Sequence, residues 1–462
     1  MIAYTGSAME STLNDSGRHF PPDFVWGAAV SAYQIEGAVD ADGRGESIWD
    51  RFTATPGKIE NGEDGRVACD SYHRYREDVR LMRDLGLNAF RFSIAWPRIL
   101  PEGRGWPNEA GLDFYDRLVD ELLAAGIEPF VTLYHWDLPQ TLEDGGGWPA
   151  RETVDAFAEY VEVVAARLGD RVRYWITQNE PWVIAWLGYG MGQHAPGRES
   201  EGDALAAAHH VLLAHGRAAE IVRREVPGAR VGITIDVVPM YPATDSEADV
   251  AATRLSDGFR NRWILDPVLR GEYPADMLEH FAHALPTVLD GDLETIAAPL
   301  DFLGVNYYTR NVVSADPESG EPVVVPADGA EHTTKGWEVF PNGLTEMLLQ
   351  LRDDYDLPAL YVTENGAAYE DVRENGAVED PERVSYLERH LGAIAQAVKE
   401  GVPVAGYFVW SLLDNFEWAQ GYSQRFGIVY VDFETLERVP KMSYTWYRNF
   451  IAAERAAASA RA

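Results

Sequence analysis

Cysteine is almost absent: Cys69 is the only one in 462 residues, so no intramolecular disulfide can form. Such a chain tolerates reducing conditions, and a cytoplasmic location is expected. No run approaches the ~18 consecutive apolar residues of a membrane-spanning helix. Met1 to Phe20 has no basic segment leading into an apolar one, so it is not a secretory signal. Residues 1–19 read as a disordered leader, within which Met9 is an alternative start. Positive charge is also scarce. Against 74 Asp and Glu stand 39 Lys and Arg, a net charge of −35 that repels nucleic acid and anionic membranes and argues against both as partners. The excess serves solubility, with raised salt as one setting for it. His209, His210 and His215 lack the i, i+4 spacing of a helical zinc pair and no His-Glu-x-x-His occurs, so neither metal nor cofactor is expected. The Gly-x-Ser-x-Gly elbow of a serine hydrolase is missing too.

What the sequence does hold is alternation. Asp23 to Val30 reads as a strand. Ser71 to Leu85 carries Tyr75, Val79 and Met82 at helical spacing, with Gly86 as its stop. Strands are predicted next at Asn88 to Trp96, Glu128 to Tyr134, Tyr174 to Asn179, Arg230 to Val238, Asp301 to Thr309, Tyr361 to Glu364 and Val404 to Leu413. Helical stripes lie between them: Leu112 to Leu123, Val154 to Leu168 and Ala204 to Glu225. Eight such units predict an α/β fold, a single (β/α)8 TIM barrel. Since that fold needs about 250 residues, the surplus falls in long loops after the strands, on the face where barrel active sites form. Gly145 to Pro149, Asn311 to Trp337 and Asp414 to Gln424 read as three of them. The expectation is one catalytic domain over 20–452 and a fraying tail over 453–462.

Two of these strands end on glutamates. Tyr361-Val362-Thr363 is aromatic and β-branched and runs into Glu364-Asn365-Gly366; Tyr174-Trp175-Ile176-Thr177 runs through Gln178 and Asn179 to Glu180-Pro181. A solvated strand-end carboxylate is the ordinary reading of any one Glu in so acidic a chain. Here each closes an apolar strand beside Asn, a setting that moves carboxyl pKa values. Paired carboxylates across a cleft are the machinery of glycoside hydrolysis. The 14 Trp and 22 Tyr, mostly core by default, include faces suited to the C–H surfaces of sugar rings.

Thr177-Gln178-Asn179-Glu180-Pro181 and Val362-Thr363-Glu364-Asn365-Gly366 together resemble the two signature motifs of glycoside hydrolase family 1, the β-glucosidase family. Gln178 departs from the apolar or aromatic residue more often found there. The resemblance implies that Glu180 is the general acid/base and Glu364 the nucleophile. It makes Arg91, Tyr308 and Asn179 catalytic support, with Arg91 and Tyr308 beside the nucleophile. Asp23 to Gly37 resembles the family's N-terminal signature and implies a sugar contact for Gln34. His135-Trp136, Asn179, Trp410 and Glu417-Trp418 are implied in the sugar site, and Trp337 on the leaving-group side. In the family's phospho-glycosidase branch small and basic residues replace the glutamate at position 417, so Glu417 implies an unphosphorylated sugar.

The implied activity is that of a retaining β-glycosidase, first of all a β-glucosidase releasing terminal β-D-glucose from β-glucosides or cello-oligosaccharides. The partner is thus a small-molecule glycoside. A galactosidase, fucosidase or transglycosidase of the same fold is the alternative, and a catalytically silent sugar-binding protein the reading from a different class.

Overall fold

Eight runs of apolar and β-branched residues, each too short to bury a face alone, close on one another as a parallel barrel. The computed structural model describes residues 20–327 and 329–461. The expected leader, with Met9, lies outside the described residues, as does Ala462. The barrel strands are β1 (Val25–Ala29), β2 (Ala89–Ser93), β3 (Glu128–Thr132), β4 (Tyr174–Asn179), β5 (Arg230–Asp236), β6 (Phe302–Asn306), β7 (Ala359–Asn365) and β8 (Val404–Trp410). Each pairs with its chain neighbours, and β8 closes on β1 with Ala29 opposite Trp410. The (β/α)8 expectation therefore holds.

Several strands stop short of their predicted ends. Trp96-Pro97 opens a short helix, Trp96–Ile99, because proline suits a first helical turn and lacks the N–H a strand would use. The helices α1 (Ser71–Leu85), α2 (Glu109–Ala124), α3 (Glu152–Leu168) and α4 (Glu201–Glu225) lie where apolar spacing placed them. Gly86, at φ +82°, ends α1 in the left-handed region that glycine enters freely. After β6 and β7 come α5 (Pro341–Asp354) and α6 (Pro381–Lys399). The last helix, α7 (Met442–Arg461), runs on through the alanine-rich segment expected to fray, as alanine's helix propensity favours.

Asn311 to Trp337, read as a loop, is partly sheet. Asn311–Ala315 and Pro322–Val325 pair antiparallel, and Met240–Pro242 adds a third strand. Valines at 312, 313, 323, 324 and 325 form the ribbon, and Asp316 ties its turn by accepting from the amides of Glu318 and Ser319 at 3.0 and 2.9 Å. The run is too short for its period to show above the Gly, Pro and charge around it.

The core has two layers. Outside the barrel, strands and helices pack as one continuous cluster. Inside, Phe130, Phe302, Tyr361 and Phe408 fill the floor, with Phe130 stacked on Tyr174 at 4.1 Å between centroids. Side chains at the strands' C-terminal ends are polar instead, so the barrel is dry below and chemically equipped above.

A buried ionic cluster fixes the loop after β8. Asp414 accepts from Lys441 at 2.7 Å and Arg425 at 2.6 Å; Asp371 accepts from Lys441 at 2.5 Å and Arg383 at 2.8 Å. Cys69 is buried against it, its thiol donating to the Asp414 carbonyl at 3.0 Å.

Candidate active site

Strand ends bring the polar groups together, because successive strands of a closed parallel sheet present their C-termini on one rim. Arg91, fully buried in β2, is the hub. A buried guanidinium needs every donor met. Its Nε donates to Thr132 Oγ1 at 3.2 Å, one Nη to Asn179 Oδ1 at 2.6 Å, and the other to the Thr363 carbonyl at 3.2 Å and to Glu364 Oε1. Tyr308 donates its phenol to Glu364 Oε2 at 2.5 Å. Both oxygens of Glu364 are thus held, one by a cation and one by a neutral donor.

Glu180 has a different environment. Asn306 Nδ2 donates to its Oε1 at 2.6 Å, and Asn306 is itself oriented by Thr363 Oγ1, which donates to Asn306 Oδ1 at 2.8 Å. No cation bonds directly to Glu180 among the described residues; Arg260 pairs instead with Asp236 and lies 4.0 Å from the Trp182 ring centroid. Burial, then the Asp236 and Glu364 charges, push the Glu180 carboxyl well above its usual range. Burial raises Glu364 as well, but Arg91 and the Tyr308 and Asn306 hydrogen bonds pull it back. Of two neighbouring carboxyls, the arrangement leaves the charge on Glu364 and the proton on Glu180.

Asn179 joins the two halves: its Nδ2 donates to His135 Nε2 at 3.1 Å, and its carbonyl accepts from the Trp136 indole at 2.9 Å. Burial and the Arg91 charge hold His135 well below its ordinary pKa, hence neutral. Its ring lies parallel to Trp410 and Trp418, 5.9 Å from each. Trp136, Glu180 and Trp418 have φ of +81°, +54° and +51°, backbone strain of about 1–3 kcal/mol each that gathers around this one cavity.

The cavity measures about 490 Å³ and is bordered by both glutamates, Trp337, Trp410 and Glu417. Gln34 lies beside it, fully buried; its amide oxygen accepts from Ser31 Oγ at 2.6 Å and its nitrogen donates to Asn415 Oδ1 at 3.1 Å and the Phe416 carbonyl at 2.9 Å. Every site residue read from the sequence therefore falls at this rim or directly behind it. Asp236, Arg260, Asn306 and Lys335 also border the cavity and went unread. Asp236 and Asn306 end strands, which was the available signal; Arg260 and Lys335 carry none. His209, His210 and His215 are structural: His215 bonds Thr177 Oγ1 behind the Glu180 strand at 2.6 Å.

Residues 16–456 match the family model described as glycosyl hydrolase family 1. The chain belongs to that family. Among family 1 relatives, "Beta-glucosidase A" of Thermotoga maritima is 48% identical over 94% of this chain and 98% of its own. A "Bifunctional beta-D-glucosidase/beta-D-fucosidase" of Bifidobacterium breve is 47% identical over 94% and 98%. A solved family 1 structure, "Beta-glucosidase from Thermotoga maritima in complex with glucoimidazole", superposes with a TM-score of 0.92 at 48% identity, covering 94% of this chain and 99% of that one. No helix among the described residues is long and apolar enough to cross a membrane.

Proposed function

We propose that the protein is a retaining β-glucosidase acting on small β-glucosides and cello-oligosaccharides, with Glu364 as nucleophile and Glu180 as acid/base. The observation that carries this is the division of charge: Arg91 and Tyr308 hold both oxygens of Glu364, while Glu180 meets only an amide donor and neighbouring negative charge.

In the first step a Glu364 oxygen attacks the anomeric carbon. The glycosidic C–O bond breaks, and Glu180 passes its proton to the departing oxygen. Once Glu364 is esterified its charge is gone, so one of the influences raising Glu180 vanishes and Glu180 becomes the base. It takes a proton from water, the water oxygen bonds to the anomeric carbon, and the ester C–O electrons return to Glu364. Two inversions give net retention. Arg91 and Tyr308 keep Glu364 charged and aimed; Asn179 fixes Arg91 and His135.

On this reading His135, Trp136, Asn179 and Glu417 hold sugar hydroxyls, with Gln34 joining once its amide is released. Trp410 and Trp418 wall the sugar, and Trp337 faces the aglycone. The lone Cys69 suits a reducing cytoplasm. The test is trapping with 2-deoxy-2-fluoro-β-D-glucosyl fluoride and peptide mass mapping. The glycosyl label is expected on Glu364; a label on another residue would remove the nucleophile assignment.

A further inference from the structure

Lys335 enters the catalytic cavity from the loop before Trp337. Its ammonium donates to Glu417 Oε1 and lies 4.7 Å from the Trp337 ring centroid and 5.5 Å from that of Phe426. Both partners are largely buried, their side chains 18% and 7% exposed. The other oxygen, Glu417 Oε2, has the Gln34 amide at 3.5 Å. Glu417 is therefore a carboxylate whose charge is already met inside the protein.

Two consequences follow from that pairing. A sugar hydroxyl that donates to Glu417 Oε1 competes with an ammonium seated there, so its bond adds less than it would to a bare carboxylate. A sugar lacking that hydroxyl, or presenting it in the wrong direction, leaves no unpaired buried charge behind. Sites reject deoxy analogues strongly when buried polar groups are left unpaired, and Lys335 removes that penalty. An anionic substituent gains nothing, since Glu417 repels what Lys335 attracts.

We infer that Lys335 is a specificity-determining residue that relaxes recognition at the sugar's 4- and 6-positions, so that β-D-fucosides are accepted alongside β-D-glucosides. This rests on the proposed placement of Glu417 against the outer hydroxyls. D-Fucose differs from D-glucose at those two positions alone, by epimerisation at C4 and loss of the 6-hydroxyl.

The experiment is kcat/KM for 4-nitrophenyl β-D-glucoside and β-D-fucoside in the wild type, Lys335→Met and Lys335→Arg. In Lys335→Met the glucoside-to-fucoside ratio is expected to rise about tenfold, the worth of a hydrogen bond no longer contested. In Lys335→Arg, which keeps the ion pair, it stays near the wild-type value. An unchanged or lower ratio in Lys335→Met, or the same shift in both variants, would overturn the inference. NMR titration of the three proteins with D-glucose and D-fucose gives the ratio of affinities without turnover. A wild type that binds both sugars and hydrolyses neither glycoside would sink the proposed hydrolase, while that ratio still decides the role of Lys335.

Discussion

Glu180 and Glu364 are the same side chain in two electrostatic settings, and neighbours one side chain away create the difference. Asp236 is the more instructive of them, because its charge raises Glu180 while Arg260 partly offsets it. The acid must be protonated to act, so its pKa sets the alkaline limb of kcat/KM. Asp236→Asn removes a negative charge and frees Arg260; both changes favour ionised Glu180, so the limb should move to lower pH. A limb that stays in place or moves up would mean that Asp236 does not act on Glu180. Glu180→Gln should lower kcat about 10²–10⁴-fold on substrates with poor leaving groups, the usual worth of general acid catalysis. Little loss there, measured with a methyl β-glucoside, would contradict the acid role. The glutamates were readable in the sequence because each closes an apolar strand within a motif. Lys335 and Asp236 were not, since a charge in a loop, or one acid among 74 Asp and Glu, gains meaning only from what it faces.

Among the elements, the barrel strands were legible and the loop ribbons were not. A buried parallel strand writes itself as an apolar run such as Phe90-Arg91-Phe92, even around a charge, whereas the Val312 and Val324 strands are short and half solvated. The loop carrying Glu417 and Trp418 depends on contacts no local pattern encodes: Lys441 from α7 and Arg425 meet on Asp414, and Arg383 from α6 joins through Asp371. Asp371 is held below its usual range by Arg383 and Lys441 against the effect of burial. Its contribution to stability is therefore present above the ordinary carboxyl pKa and fades as pH falls through the lowered one. Breaking such a cluster strands charge in the interior. Arg383→Met should cost about 3–5 kcal/mol in urea unfolding. A loss below 1 kcal/mol, the scale of an exposed pair, would show that the cluster is no anchor.

For the whole molecule, a net charge of −35 means that self-repulsion outweighs the many exposed ion pairs, each worth little. Salt screens both, so Tm should rise as ionic strength goes from about 0.01 M, where charges interact over about 30 Å, to about 1 M, where they reach about 3 Å. A falling Tm would place the surface pairs ahead of the repulsion. Acidic excess, barrel and pocket come together in one claim: a family 1 chain with its charge on Glu364 and its proton on Glu180 works by double displacement. Proton NMR of an aryl β-D-glucoside, followed from the first seconds before mutarotation, tests it most directly. β-Glucose should appear first. α-Glucose appearing first would contradict Glu364 as nucleophile and the double displacement with it.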